Sequence, residues 1–466
     1  MLIGKPKRNA AEGVIENNRW LDQNDARDFV GSGFRALLSA AGQNARTLLG
    51  HVSTSLHLFS QARLPNPISL VTTPQQRLSS RMDVNSAAVE TVEEAPPLDP
   101  APRKAGSYYR PELDALRFFA FFSVFVGHGP RLNYGPSSPM WKQLVGSAYE
   151  RISYAGLYGL PLFFFLSSFL ITELLLRERE KTGSVHIKAF YIRRVLRIWP
   201  LYFVGVLGAI ALSIAFPHHY GLTHREIAYL ILFVGYLGGS FHFNPFGILW
   251  SVSVEELFYL AWPWVANRGK QVILYLALLC LPISLITCFV VTPQEWFNPV
   301  CHFIFFGTGA LAALKLHQRA WNMSNVRRIL MFAAGFVAVV SAPLFYWHGG
   351  RWACALSFLV VDLGVVLGFL SIFQLSPDRI PKWIIYLGQI SYGLYVFHLA
   401  CLHLVSRAII PHTRVAASPF LSFLATAALS LALTISLAFL SYRYLELPFL
   451  RLKKRFEFIR SRSVSA

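Results

Sequence analysis

From Leu113 to Tyr442 the chain is an almost unbroken series of apolar stretches near 20 residues long, separated by short polar breaks. A helix needs about 20 apolar residues to cross the hydrocarbon core of a bilayer. Spans of that length fall near 113–132, 153–176, 198–216, 246–265, 271–291, 299–316, 329–347, 352–374, 384–409 and 418–442. The chain therefore reads as an all-α integral membrane protein with about ten transmembrane helices. An eleventh apolar piece, 227–239, is too short to cross and reads as a re-entrant or interfacial segment, tolerated at depth only where protein or water satisfies its backbone. No internal repeat is visible, which weighs against transporter folds built from inverted halves.

Charge agrees. Only 14% of the 466 residues are charged, yet the net charge is +19. Residues 1–106 carry 12 basic and 10 acidic side chains, so nearly all of the excess lies in the apolar part. Basic loops of this kind mark the cytoplasmic side of a membrane protein. Nucleic acid is excluded as the reason for the basicity. The segments Arg177–Arg197, Arg268–Lys270, Lys315–Arg328 and Arg443–Arg462 are expected in the cytoplasm, together with both termini. Three regions follow: a polar, largely disordered tail over 1–106, a membrane domain over 107–450, and a basic tail over 451–466. Within the first tail, 24–60 could form one amphipathic helix, and the Pro-, Ser- and Glu-rich 64–106 reads as a linker. The N-terminal stretch has no apolar core of signal-peptide length.

Cys280, Cys288, Cys301, Cys354 and Cys401 lie in or beside apolar runs with no CxxC spacing, and read as small buried hydrophobes. His218, His219, His224 and His242 fit no zinc spacing, so no metal is expected.

An ionisable group at membrane depth is costly and marks a candidate site. Arg117 and His128 are eleven residues apart, about three helical turns, so they share a face roughly 16 Å apart along the axis. A deep histidine can act as a general base or simply bond a neighbouring helix. Arg194 and Arg197 share a face beside Arg193, and their planar forks suit phosphate or carboxylate, although positive-inside anchoring also explains arginines here. Glu255 and Glu256 are adjacent and must point to different faces; at least one looks inward, to a cation or a hydroxyl donor. Ser391, Tyr392, Tyr395 and His398 place hydroxyls and an imidazole on one helix, for substrate binding or for helix–helix hydrogen bonds. Asp362, alone in its span, is expected to pair with an arginine or a hydroxyl.

The blocks YRPELDALRFFAFFSVFVGH, LFFFLSSFLITELLLRE, FYIRRVLRIWPLYF, LWSVSVEELFYLAWP, GQISYGLYVFH and YRYLELP stand in this order over about 107–450. In that arrangement the chain resembles the acyltransferase 3 family of bacterial membrane O-acyltransferases, whose opening helix has an Arg-x10-His spacing matched by Arg117 and His128. It departs from the family pattern at Pro161 (usually Asp), Ser168 (usually Gly) and Leu257 (usually Gln). Ser168 is expected to narrow a helix contact or line the cavity, and Leu257 removes a polar group near the glutamates. Many relatives carry a hydrolase-like domain after the last helix, and with Ala466 about twenty residues past that helix the second domain is expected to be absent.

The resemblance implies an acyltransferase acting on groups other than amino-acyl groups. It would move an acyl group, commonly acetyl, from acetyl-CoA or another acyl-CoA to a hydroxyl of a glycan or glycolipid, in the bacterial cytoplasmic (inner) membrane. The acyl-CoA is a co-substrate, with no permanently bound cofactor. In that chemistry His128 is the base, Arg117, Arg194 and Arg197 hold the donor, and Glu255 or Glu256 orients His128 or binds acceptor hydroxyls. The rival reading is a glycan or lipid transporter in which the same charges form a path and no bond is made.

Overall fold

The computed structural model describes residues 108–132, 134, 138–238, 244–292, 295–347 and 350–459. The expected helix over 24–60, the linker over 64–106, His242 and the end of the basic tail lie outside them. Among the described residues the protein is helical throughout, with no strand. The long helices are α1 (Pro111–His128), α2 (Met140–Gly156), α3 (Gly159–Thr182), α4 (Ile187–Ala215), then the short α5 (His224–Ile231). They continue as α6 (Leu249–Arg268), α7 (Lys270–Val291), α8 (Phe303–Leu316), α9 (Asn325–Trp347) and α10 (Arg351–Ile372). Last come α11 (Lys382–Gln389), α12 (Ser391–Leu404), α13 (Pro419–Ser441) and α14 (Leu447–Lys453).

Among the described residues, eight helical segments are long and apolar enough to cross a membrane. Helices α1 and α6, with 18 and 20 residues, occupy the two remaining expected spans and carry Glu112, Asp114, Arg117, Glu255 and Glu256. The protein is thus an all-α, multi-pass membrane protein. The short apolar piece is resolved as α5, capped by Thr223 and Glu226 bonding each other's backbone, and followed by a single 3₁₀ turn at Gly235–Leu237. Eight residues rise about 12 Å, well short of a bilayer.

Local chemistry explains the boundaries. Proline at the first position starts α1 and α13, where its missing N–H costs nothing, and Ser418 caps α13. Gly183, at φ +81°, ends α3 in the left-handed conformation that side chains resist. Lipid gives no hydrophobic drive between helices, so close packing holds them. At Gly388 a Cβ would overlap the Asp114 carbonyl, so the α11 backbone lies directly against α1. An aromatic stack joins α3, α6 and α8: Phe306 is 5.0 Å from Phe164 and 4.5 Å from Phe258. Outward, Tyr275, Leu279 and Ile286 on α7 and Phe336 on α9 are exposed, as lipid-facing side chains are.

Two expectations resolve here. Ser168 takes the first of its alternatives: buried between α3 and α8, it donates to the Phe306 carbonyl at 2.5 Å. Asp362 pairs with a hydroxyl, accepting from Thr308 at 2.7 Å.

Candidate active site

Helices α1, α3, α4, α6, α12 and α14 surround a cavity of about 140 Å³. Arg117, Arg194 and Arg197, predicted as one cationic group, all line it. So do Glu255, Ser391, Tyr392 and Tyr395. His128, Glu256 and His398 do not.

The arginines are held differently. Arg117 reaches back one turn to Asp114 at 3.5 Å, and Asp114 also accepts from the Tyr109 hydroxyl at 3.1 Å. Arg194 lies over the rings of Phe190 and Tyr259, about one ring-width away at 5.4 and 5.5 Å, and its buried Nε makes no hydrogen bond. Their neighbour Arg193 points elsewhere, pairing with Glu178 at 2.8 Å. The cluster therefore splits into one structural arginine and two that face the cavity.

Residues one apart on a helix diverge by about 100°, and the two glutamates do so. Glu255 enters the cavity and accepts from Ser167 at 3.0 Å and Tyr259 at 2.9 Å, within electrostatic reach of Arg117 and Arg194. Glu256 lies outside the cavity lining, within electrostatic reach of Arg194, Tyr202 and Tyr392, and its buried Oε1 makes no hydrogen bond.

On α12 both proposed uses coexist. Tyr392 donates to the Ile198 carbonyl at 3.0 Å, and Tyr395 shares a 2.8 Å hydrogen bond with Ser251, so each ties α12 to a neighbour while lining the cavity. His398 does not line the cavity. It is fully buried, with Nε2 3.2 Å from His128 Nδ1 and Nδ1 2.6 Å from the Tyr395 carbonyl.

That pair corrects the assignment of a glutamate as the group that orients His128. A carbonyl only accepts, so His398 Nδ1 carries the proton there. Neutral His398 then has a bare Nε2, to which His128 must donate from Nδ1. This leaves the lone pair of His128 on Nε2, the form a general base needs. The Tyr395 ring, 5.6 Å from that of His398, also lines the cavity, so one residue touches both the imidazole pair and the chamber. Cations and hydroxyls thus line the cavity, and the paired histidines lie outside its lining.

Sequence reasoning missed Asp114, Ser167, Tyr259 and Lys453. Tyr259 follows Glu255 by one turn and Asp114 precedes Arg117 by three residues, so helical spacing could have found both. Ser167 comes from α3 and only packing brings it in. Among the described residues no group of histidine, cysteine and carboxylate could hold a metal.

The chain is similar to known proteins. The peptidoglycan O-acetyltransferase OatA of Listeria monocytogenes is 27% identical over 388 residues, covering 73% of this chain and 56% of OatA. A putative O-acetyltransferase of Staphylococcus aureus is 26% identical over 384 residues, covering 73% of this chain and 57% of that protein. A putative acetyltransferase of Acidianus two-tailed virus is 27% identical over 301 residues, covering 62% and 83%. The chain spans little more than half the length of the first two relatives. No solved structure matches it. The acyltransferase-domain model of the acyltransferase 3 family matches residues 110–442, which hold α1 through α13 and every predicted site residue, and the chain belongs to that family.

Proposed function

We propose that this protein is an O-acetyltransferase that moves an acetyl group from acetyl-CoA to a hydroxyl of a glycan or glycolipid. The observation that carries this reading is the cavity lined by Arg117, Arg194 and Arg197 and bordered by Tyr395, whose ring also contacts His398, the hydrogen-bond partner of His128. The donor's phosphates meet Arg117, Arg194 and Arg197, and its slender thioester arm runs toward Ser251 and Tyr395. The acceptor hydroxyl meets His128, whose Nε2 takes its proton as the oxygen attacks the acyl carbon. The carbon–oxygen bond forms, the carbon–sulfur bond breaks, and the thiolate leaves toward the cationic side.

The dense basic segment Arg177–Arg197 supports a cytoplasmic donor mouth in the inner membrane. The acceptor then approaches from the opposite face, as envelope glycans would. The relatives' printed activities support acetyl as the group moved.

Purified protein incubated with acetyl-labelled acetyl-CoA and candidate glycans tests the proposal. Label in the glycan, lost on mild alkaline ester hydrolysis, is the expected result. Glycan movement across vesicles without label transfer would replace the enzyme reading with transport.

A further inference from the structure

The segment from Pro419 to Phe456 is helical over 38 residues, about 57 Å, nearly twice a bilayer's apolar thickness. Its end packs against the cytoplasm-predicted ends of α3 and α4. Arg193 donates to the Phe456 carbonyl at 2.7 Å, Lys181 donates to that of Phe458 at 3.2 Å, and the Phe458 ring stacks on His186 at 4.1 Å. This strap places Lys453 inside the protein, 8% exposed, on the wall shared by the cavity and a smaller one of about 30 Å³ beneath Glu457 and Phe458. Arg194 lines both as well.

A buried ammonium needs a compensating anion. Lys453 has Glu457, one turn on, at 3.0 Å, with both side chains largely covered. Yet Lys453 also faces the chamber lined by Arg117, Arg194 and Arg197. Arg110 also lines the chamber but pairs with Glu112 at 3.6 Å, and against the two lining carboxylates, Asp114 and Glu255, the other four cations favour a ligand with several negative charges. The diphosphate and 3′-phosphate of a coenzyme A thioester supply them.

Resting on the acetyl-CoA reading above, we propose that Lys453 is a fourth phosphate ligand for the donor, delivered by the C-terminal strap. Glu457 holds its ammonium until a donor phosphate displaces the carboxylate. Donor binding thereby couples to the strap.

The test compares acetyl-CoA with acetyl-pantetheine, which keeps the thioester arm but lacks the phosphates, at matched membrane levels. Lys453→Ala is expected to lower the preference for acetyl-CoA, as a ratio of kcat/KM values, tenfold or more, with Lys453→Arg restoring part of it. Glu457→Gln is expected to lower the KM for acetyl-CoA, because it removes the competing carboxylate. Parallel losses with both donors would make Lys453 a structural ion-pair residue and overturn the inference, as would an unchanged ratio. Binding of adenosine 3′,5′-bisphosphate to the same preparations separates this from failure of the activity itself. Nucleotide bound by the parent protein and lost in Lys453→Ala supports the ligand role even where no acyl group moves. A parent protein that binds none overturns both.

Discussion

His128 on α1 and His398 on α12 meet with Nδ1 and Nε2 3.2 Å apart, and the Tyr395 carbonyl fixes which of the two carries the bridging proton. On the proposed mechanism His398 acts through His128 and does not touch substrate. His398→Leu is expected to lower kcat by roughly 10–100-fold, the loss usual when a group orienting a functional histidine is removed. The KM for acetyl-CoA should stay unchanged, because His398 does not line the donor cavity. Steady-state kinetics separates the two constants. A rise in donor KM with unaltered kcat would return His398 to substrate binding.

The arginines should behave in the opposite way. Arg117→Ala and the Arg194→Ala, Arg197→Ala double variant are expected to raise donor KM about tenfold or more. Each charge-assisted hydrogen bond is worth roughly 1.5–3 kcal/mol. Lysine should restore only part, since an ammonium lacks the planar fork. Titration with a nucleotide competitor checks this independently of turnover.

A third expectation concerns stability. His317, at the end of α8, bonds Glu173 through Nδ1 at 2.7 Å and Glu180 through Nε2 at 2.9 Å. Both nitrogens donate only in the imidazolium, and the hydrogen bond to Glu173 first of all raises its pKa above the ordinary 6.5. A raised folded value means that the contribution to stability is full below about pH 6.5 and fades as pH climbs through the raised pKa. His317→Ala should therefore lower the melting temperature by several degrees at pH 6 and much less at pH 9. Equal losses at both pH values would mean that packing, and not charge, is what His317 contributes.

Topology gives a fourth. Since α5 is too short to cross, a reporter fused at residue 242 should lie outside the cytoplasm and one at Lys270 inside. A cytoplasmic signal at 242 would invert the placement of the donor mouth.

The spans were legible because lipid demands long apolar helices, and that demand is written residue by residue. Arg117, Arg194, Arg197 and Glu255 were legible for the same reason: charge at depth has few explanations. The His128–His398 pair was not, because each histidine had a sufficient local account and only the packing of α12 on α1 joins them. Lys453 was hidden by a rule that works too well. In a run of basic residues after a final helix, positive-inside anchoring explains every charge, and sequence alone does not show which one turns inward.

The account stands most directly on His128. With protein level and nucleotide binding measured on the same detergent-solubilised preparations, His128→Ala should lose acyl transfer by about 10²–10⁴-fold or more while retaining donor affinity. His128→Gln should be equally inactive, because an amide preserves hydrogen bonding but takes no proton. A His128→Ala protein that acetylates acceptor at the parent rate would contradict the mechanism.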